Sequence, residues 1–326
     1  MKFYGMAAVC PLILIGCATE NELRFTATLD AETSGLVLSE DGLDAQGGMS
    51  GTTCQIDTAW GCPVADADLP TTWERVLDSY DGTTLGASDL GLHTIVGGVW
   101  VQERDEALPE VRAARLYKGG KVVVLGHEGA CTVQRDGAAI AVPNELCEDR
   151  VRFSVDRDSG VVVATSAKGA WRVEATGASA MTGVGDLTAW DASLGLLFTA
   201  TKGDATLSAI DPDGGAVAWT VETGGPISDV VTRGKRDEVL VRIGGSTLPV
   251  LERREGRTGE LLGSSTLPED DGELVVSDDG TTIAVVLPQE VNFYDLLTDG
   301  EMPREDRTPP SCITPTMNGN SVNLGD

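Results

Sequence analysis

The chain of 326 residues carries 24 Lys and Arg against 51 Asp and Glu, a net charge of −27, and 41% of it is hydrophobic. That is apolar material enough for one large domain or two ordinary ones. The acidity excludes nucleic acid and anionic headgroups as ligands of the body, because no basic cluster overrides the field, and it favours solubility and neutral or basic partners.

In chain order, residues 1–16 lie outside the fold. Lys2 supplies a positive start, and Phe3 to Ile15 is an apolar run without an acid, too short to span a bilayer and stay there. Leu14-Ile15-Gly16-Cys17 comes next and the chain turns polar at once. This resembles the bacterial lipobox, in which a small residue precedes a cysteine. The resemblance implies that the Cys17 thiol is diacylglycerated, that the peptide is cut before Cys17, and that the new amino group is acylated. Several acyl chains together give stable membrane residence. Losing Lys2 takes the mature charge to −28. Ala18 stands where some enterobacterial lipoproteins carry an aspartate that retains them at the inner membrane, so the outer membrane is favoured. Residues 17–22 form a short tether, 23–306 the folded body, and 307–326 a Pro-containing tail that either crosses back to pair with the first blade or stays apart.

Export places the protein in a disulfide-permissive compartment. Apart from Cys10 and Cys17, five cysteines remain: Cys54, Cys62, Cys131, Cys147 and Cys312. Five is odd, so at least one is free or pairs outside the chain.

The body lacks helical periodicity. KVVVLG (121–126), GVVVATS (160–166), GLLFTAT (195–201), EVLVRI (238–243) and TIAVVL (282–287) read as one strand type, each preceded by a tight-turn signal. A second strand type comes after each, marked by Val133, Val173, Ile210, Leu251 and Tyr294 at steps of 40, 37, 41 and 43. Ile56 and Val101 extend the series backwards, with steps of 45 and 32. A period near forty with several short strands per unit predicts an all-β fold, a single β-propeller of four-stranded blades. Seven markers give seven blades. The short step and the irregular stretch 63–98 leave six as the alternative.

One unit carries more. Ala209, Asp211, Gly215 and Trp219 fall in register with the A-x-D-x-x-T-G-x-x-x-W repeat of pyrroloquinoline-quinone-type propellers, with Gly214 in place of threonine. The resemblance implies that Trp219 docks between neighbouring blades while Asp211 and Gly215 shape a hairpin. It does not imply the quinone, since no dedicated cofactor site is recognisable and no cofactor is expected.

If the strands of a blade run a to d outward from the axis, the a–b and c–d turns share one face. DRDSG, RGKRDE, DPDGG and LERREGRTG fall there, and the face is heavily charged. The b–c and d–a loops share the other, over the central opening where propellers generally bind. Cys131 opens a c strand and Cys147 lies in the d–a loop after it, so both fall on that second face and a disulfide between them is expected. Cys54 and Cys62 flank DTAWG and are expected to staple a hairpin, leaving Cys312 over.

Signals of chemistry are weak. The two histidines, His93 and His127, are too few for a typical zinc or hydrolytic site. No nucleophile elbow, P-loop or Rossmann fingerprint occurs, and DPDGG and DRDSG are too short for a calcium loop and read as hairpins. No catalytic, cofactor or metal residue is therefore named. The preferred function is a membrane-anchored, monomeric propeller scaffold of the cell envelope, touching the membrane only through its lipid and binding a protein partner with a neutral or basic surface. Its layout is similar to the propeller lipoprotein of the outer-membrane β-barrel assembly machinery, although this chain is shorter and more acidic. The alternative is a lactonase-like hydrolase with a cation held by carboxylates around the axis.

Overall fold

The structure is a computed structural model. It describes the strands between residues 22 and 102 and, with short gaps, residues 111–296; side chains are described mainly from 77 onward, apart from 95–102. The leader 1–16, Cys17, most of the tether, Cys312 and the tail 307–326 lie outside the described residues.

Strand β1 (Glu22–Thr28) does not pair with its successors in the chain. Blade 1 comprises β2 (Thr33–Leu38), β3 (Asp44–Met49), β4 (Thr52–Asp57) and β5 (Cys62–Val64). Blade 2 comprises β6 (Trp73–Tyr80), β7 (Thr83–Ser88), β8 (Gly91–Val96) and β9 (Val99–Gln102). Blade 3 comprises β10 (Val111–Tyr117), β11 (Lys121–His127), β12 (Cys131–Arg135) and β13 (Ala138–Ala141), and the one-turn helix α1 (Glu145–Glu148) comes after it. Blade 4 comprises β14 (Arg152–Val155), β15 (Val162–Ser166), β16 (Gly169–Glu174) and β17 (Gly177–Met181). Blade 5 comprises β18 (Leu187–Asp191), β19 (Leu196–Ala200), β20 (Thr206–Ile210) and β21 (Val217–Glu222). Blade 6 comprises β22 (Ile227–Arg233), β23 (Glu238–Ile243), β24 (Val250–Glu255) and β25 (Leu261–Thr266). Blade 7 holds β26 (Glu273–Val276), β27 (Thr282–Val286) and β28 (Glu290–Asp295).

Among the described residues the strands form seven four-stranded antiparallel sheets, and the fourth strand of blade 7 is β1. The first strands touch in a closed circle, β2 to β6, β10, β14, β18, β22, β26 and back to β2. The fold is therefore a propeller of seven blades, the larger of the two numbers the repeat allowed. Its N-terminal strand closes the ring: Glu22 pairs with Asp295 and Thr28 with Glu290. Closure in this manner leaves no gap between the first and last blades, where an open stack would expose two unpartnered sheet faces.

Burial explains the strand types. The second strand of a blade is covered on both faces by neighbouring blades, so β15 and β23 are buried at every residue and read as continuous apolar runs. The fourth strand lies at the rim, and β17 is mostly exposed along GASAM. The even spacings of the repeat reflect this order, because Val133, Val173, Ile210, Leu251 and Tyr294 all lie on third strands. Val101 does not. It lies on β9, a fourth strand, and this misplacement produced the uneven steps of 45 and 32. Ile95 on β8, the third strand of blade 2, gives steps of 39 and 38 instead.

Candidate functional site

The a–b and c–d turns build one face from a recurring five-residue hairpin. In DPDGG the Asp211 N–H donates to the Ala216 carbonyl and the Gly215 N–H to the Asp211 carbonyl, both at 2.8 Å. The Asp211 carboxylate accepts the Asp213 N–H at 2.8 Å. Gly215 sits at φ +68°, a conformation that glycine adopts without strain. DRDSG repeats the pattern, with the Asp156 carboxylate accepting the Asp158 N–H at 2.9 Å. These carboxylate oxygens thus serve the hairpins themselves.

Long donors then bolt blades 3 to 7 in sequence at this face. Arg135 of blade 3 donates to the Ser159 carbonyl of blade 4 at 2.5 Å. Arg172 of blade 4 donates to the Pro212 carbonyl of blade 5 at 2.6 Å and also pairs with Asp213. Trp219 of blade 5 donates its indole N–H to the Gly256 carbonyl of blade 6 at 2.9 Å. The ring of Trp219 lies 5.8 Å from Phe198, and Gly259 of blade 6 comes so close to it that a Cβ there would meet the indole at 2.8 Å. Arg233 of blade 6 donates to the Gly280 carbonyl of blade 7 at 2.7 Å and to the Leu296 carbonyl at 3.1 Å. It is fully buried and neutralised by Glu238 at 2.5 Å. Burial works against the Arg233 charge and lowers its pKa, and Glu238 opposes that shift. Asp211 and Gly215 thus shape the hairpin, while Trp219 reaches the next blade; tryptophan occupies one junction and arginine three others.

Ion pairs also link blades two apart. Arg157, in the a–b turn of blade 4, pairs with the buried Asp78 on β6 of blade 2, and Asp78 also accepts the Leu116 N–H of blade 3 at 2.6 Å. Arg152, at the start of β14, pairs with the buried Asp229 on β22 of blade 6 and donates to the Val230 carbonyl at 3.3 Å. Both pairs skip a blade. They sit towards opposite ends of the same first strand.

The second face holds the b–c and d–a loops. Cys131 and Cys147 form a disulfide here, with Cα atoms 5.8 Å apart across a separation of 16 residues. The bond pins the d–a connection of blade 3, where the Asn144 side chain also accepts the Cys131 N–H at 3.3 Å. Both sulfur-bearing residues are buried. Cys54 and Cys62 lie on β4 and β5, opposite Gly47 and Asp57 in backbone register, and their side chains lie outside the described residues. Lys202 and Asp204 project into solvent from the b–c turn of blade 5.

His93 is buried in blade 2 and His127 lies half-buried in blade 3, opposite Cys131 in register. Among the described residues no three His, Cys, Asp or Glu side chains converge as a cation site would require. Displaced ionisation falls on structural groups. Desolvation pushes the Tyr117 phenol up to about 12, and the neighbouring Tyr117 and Lys121 side chains lower the Asp136 carboxyl. Burial raises Asp191, whose Oδ1 already accepts the Ser193 and Leu194 N–H groups of its own turn.

No family model matches the chain, and no curated protein matches it. Solved structures match in large numbers, 1203 chains in all. One is a chain of a structure described as "Crystal Structure of Mitotic Checkpoint Complex", at TM-score 0.62 and 11% identity, covering 91% of this chain and 98% of that one. At that identity the likeness is one of fold.

Proposed function

We propose that the protein is a lipid-anchored propeller scaffold of the bacterial cell envelope, held at the outer membrane through Cys17 and presenting its b–c/d–a face to a protein partner. The observation that carries the scaffold reading is the use made of the charged groups. Arg157 pairs with Asp78 and Arg152 with Asp229, each linking blades two apart, so these groups brace the ring rather than line a cation site. A lactonase-like hydrolase needs several carboxylates free at one height, which gives that alternative no support. The anchor rests on the lipobox resemblance at Leu14 to Cys17. With a mature charge of −28, the fitting partner offers a neutral or basic surface, and the body itself gains nothing from anionic lipid.

The test of the anchor is metabolic labelling with palmitate and then membrane fractionation. The native chain is expected to incorporate label and to sediment with the membrane. Cys17→Ser, which offers no thiolate for acyl transfer, is expected to remain unlabelled and unprocessed. Label in the serine variant at the native level would defeat the anchor.

A further inference from the structure

Resting on the anchor just proposed, we infer that the ring is held with its a–b/c–d face towards the bilayer and its b–c/d–a face away from it. The orientation is set by which strand closes the ring and in which direction it runs. The strand β1 is the fourth strand of blade 7, so its first residue lies at the end of the blade where c–d turns lie. Glu22 pairs with Asp295, and Asp295 in turn pairs with Thr282, the first residue after the a–b turn of the same blade. Thr28, at the other end of β1, pairs with Glu290, where the b–c turn ends. The chain therefore enters the body at the rim of the a–b/c–d face. Between Cys17 and Glu22 lie only four residues, and the extended segment reaches at most about 18 Å. Strands of five or six residues separate the two faces by roughly 15–20 Å. A tether whose full extension only matches the distance between the faces holds the entry face nearer the lipid than the far one.

The distribution of charge favours the same orientation independently. On the a–b/c–d face the exposed cations Lys118, Lys121 and Arg257 each lie beside an exposed acid, Asp158, Asp136 and Asp237, so these charges offset one another. The connections at the opposite end are acidic: residues 103–110, between β9 and β10, sum to −3, and residues 267–272, between β25 and β26, sum to −3. An anionic surface repels that end over a range of about 8 Å at physiological salt. Tether and field thus turn the same face inward, and the more acidic face is left for a basic partner.

The experiment uses the full-length lipidated protein in vesicles of phosphatidylethanolamine and phosphatidylglycerol, with a nitroxide quencher on a fraction of the headgroups. A genetically encoded fluorescent amino acid replaces Lys118, in an a–b turn, or Ala167, in a b–c turn; both positions are exposed. A second pair, at Arg257 and Lys202, repeats the comparison on other blades. Quenching at 118 and 257 is expected to be at least twice that at 167 and 202. Equal quenching on the two faces, or stronger quenching at 167 and 202, would overturn the orientation. Flotation separates the orientation from the anchor it rests on. If Cys17→Ser floats with vesicles as well as the lipidated chain does, the anchor itself is wrong and the orientation falls with it. If only the lipidated chain floats, the quenching ratio judges the orientation alone.

Discussion

The two faces of the ring are both rich in polar residues, yet they use them differently. On the a–b/c–d face the charges and the indole are engaged within the protein, as Arg135, Arg172, Trp219 and Arg233 each reach a backbone carbonyl of the next blade. On the b–c/d–a face a covalent bond between Cys131 and Cys147 holds one connection, while side chains such as Lys202 project into solvent. The contrast teaches that a densely charged propeller face can spend its charges on joining blades. Neighbouring blades leave hairpin carbonyls facing their junctions, and a long donor satisfies them while fastening the ring.

The largest expected effect breaks the first face. Arg233→Met removes a fully buried guanidinium, leaves Glu238 with only the looser Arg253 contact at 3.9 Å and strips two carbonyls of their donor, at a cost of about 3–5 kcal/mol. Urea unfolding measures it. Adding Glu238→Leu to that variant should recover part of the loss, because the stranded charge then goes as well. Next comes the covalent clamp of the second face. Replacing Cys131 and Cys147 together by alanine opens a loop of 16 residues, worth about 3 kcal/mol in the chain-entropy model, and the midpoint of urea unfolding should fall accordingly. Trp219→Phe is smaller. It keeps a ring against Phe198 and Gly259 but loses the bond to the Gly256 carbonyl, a loss of about 1 kcal/mol. Lys202→Ala sharpens the comparison from the other side, since a solvent-facing b–c side chain should change stability by no more than about 0.5 kcal/mol.

Much of this architecture was legible in the sequence, and the exceptions have physical causes. Second strands such as β15 and β23 are sandwiched between blades, so they must be apolar throughout and announce themselves. Third strands supplied the forty-residue period. Rim strands carry little obligation to be apolar, and AAIA and GASAM gave no signal. Blade 2 looked irregular because β6 and β7 read as WERVLDSY and TTLGAS, rich in Gly, Ser, Thr and Asp. The tryptophan repeat surfaced in a single unit because Arg135, Arg172 and Arg233 perform the corresponding step elsewhere, and an arginine in a charged turn looks like any solvated charge. The Cys131–Cys147 bond was readable once blade topology put both residues on one face. Ring closure was not. The Pro-containing tail drew attention, whereas the pairing of ELRFTAT with NFYD is set by topology and leaves no local mark.

The division of labour between the faces is tested most directly by photo-crosslinking in the native membrane. A photoreactive amino acid is placed at 167 in one strain and at 118 in another, each in the full-length lipidated chain. Discrete protein adducts should form from position 167 and be absent, or replaced by lipid adducts, from position 118. Discrete protein adducts from 118 with none from 167 would contradict the account, because the face bolted together by Arg135, Arg172, Trp219 and Arg233 would then be the one that meets the partner.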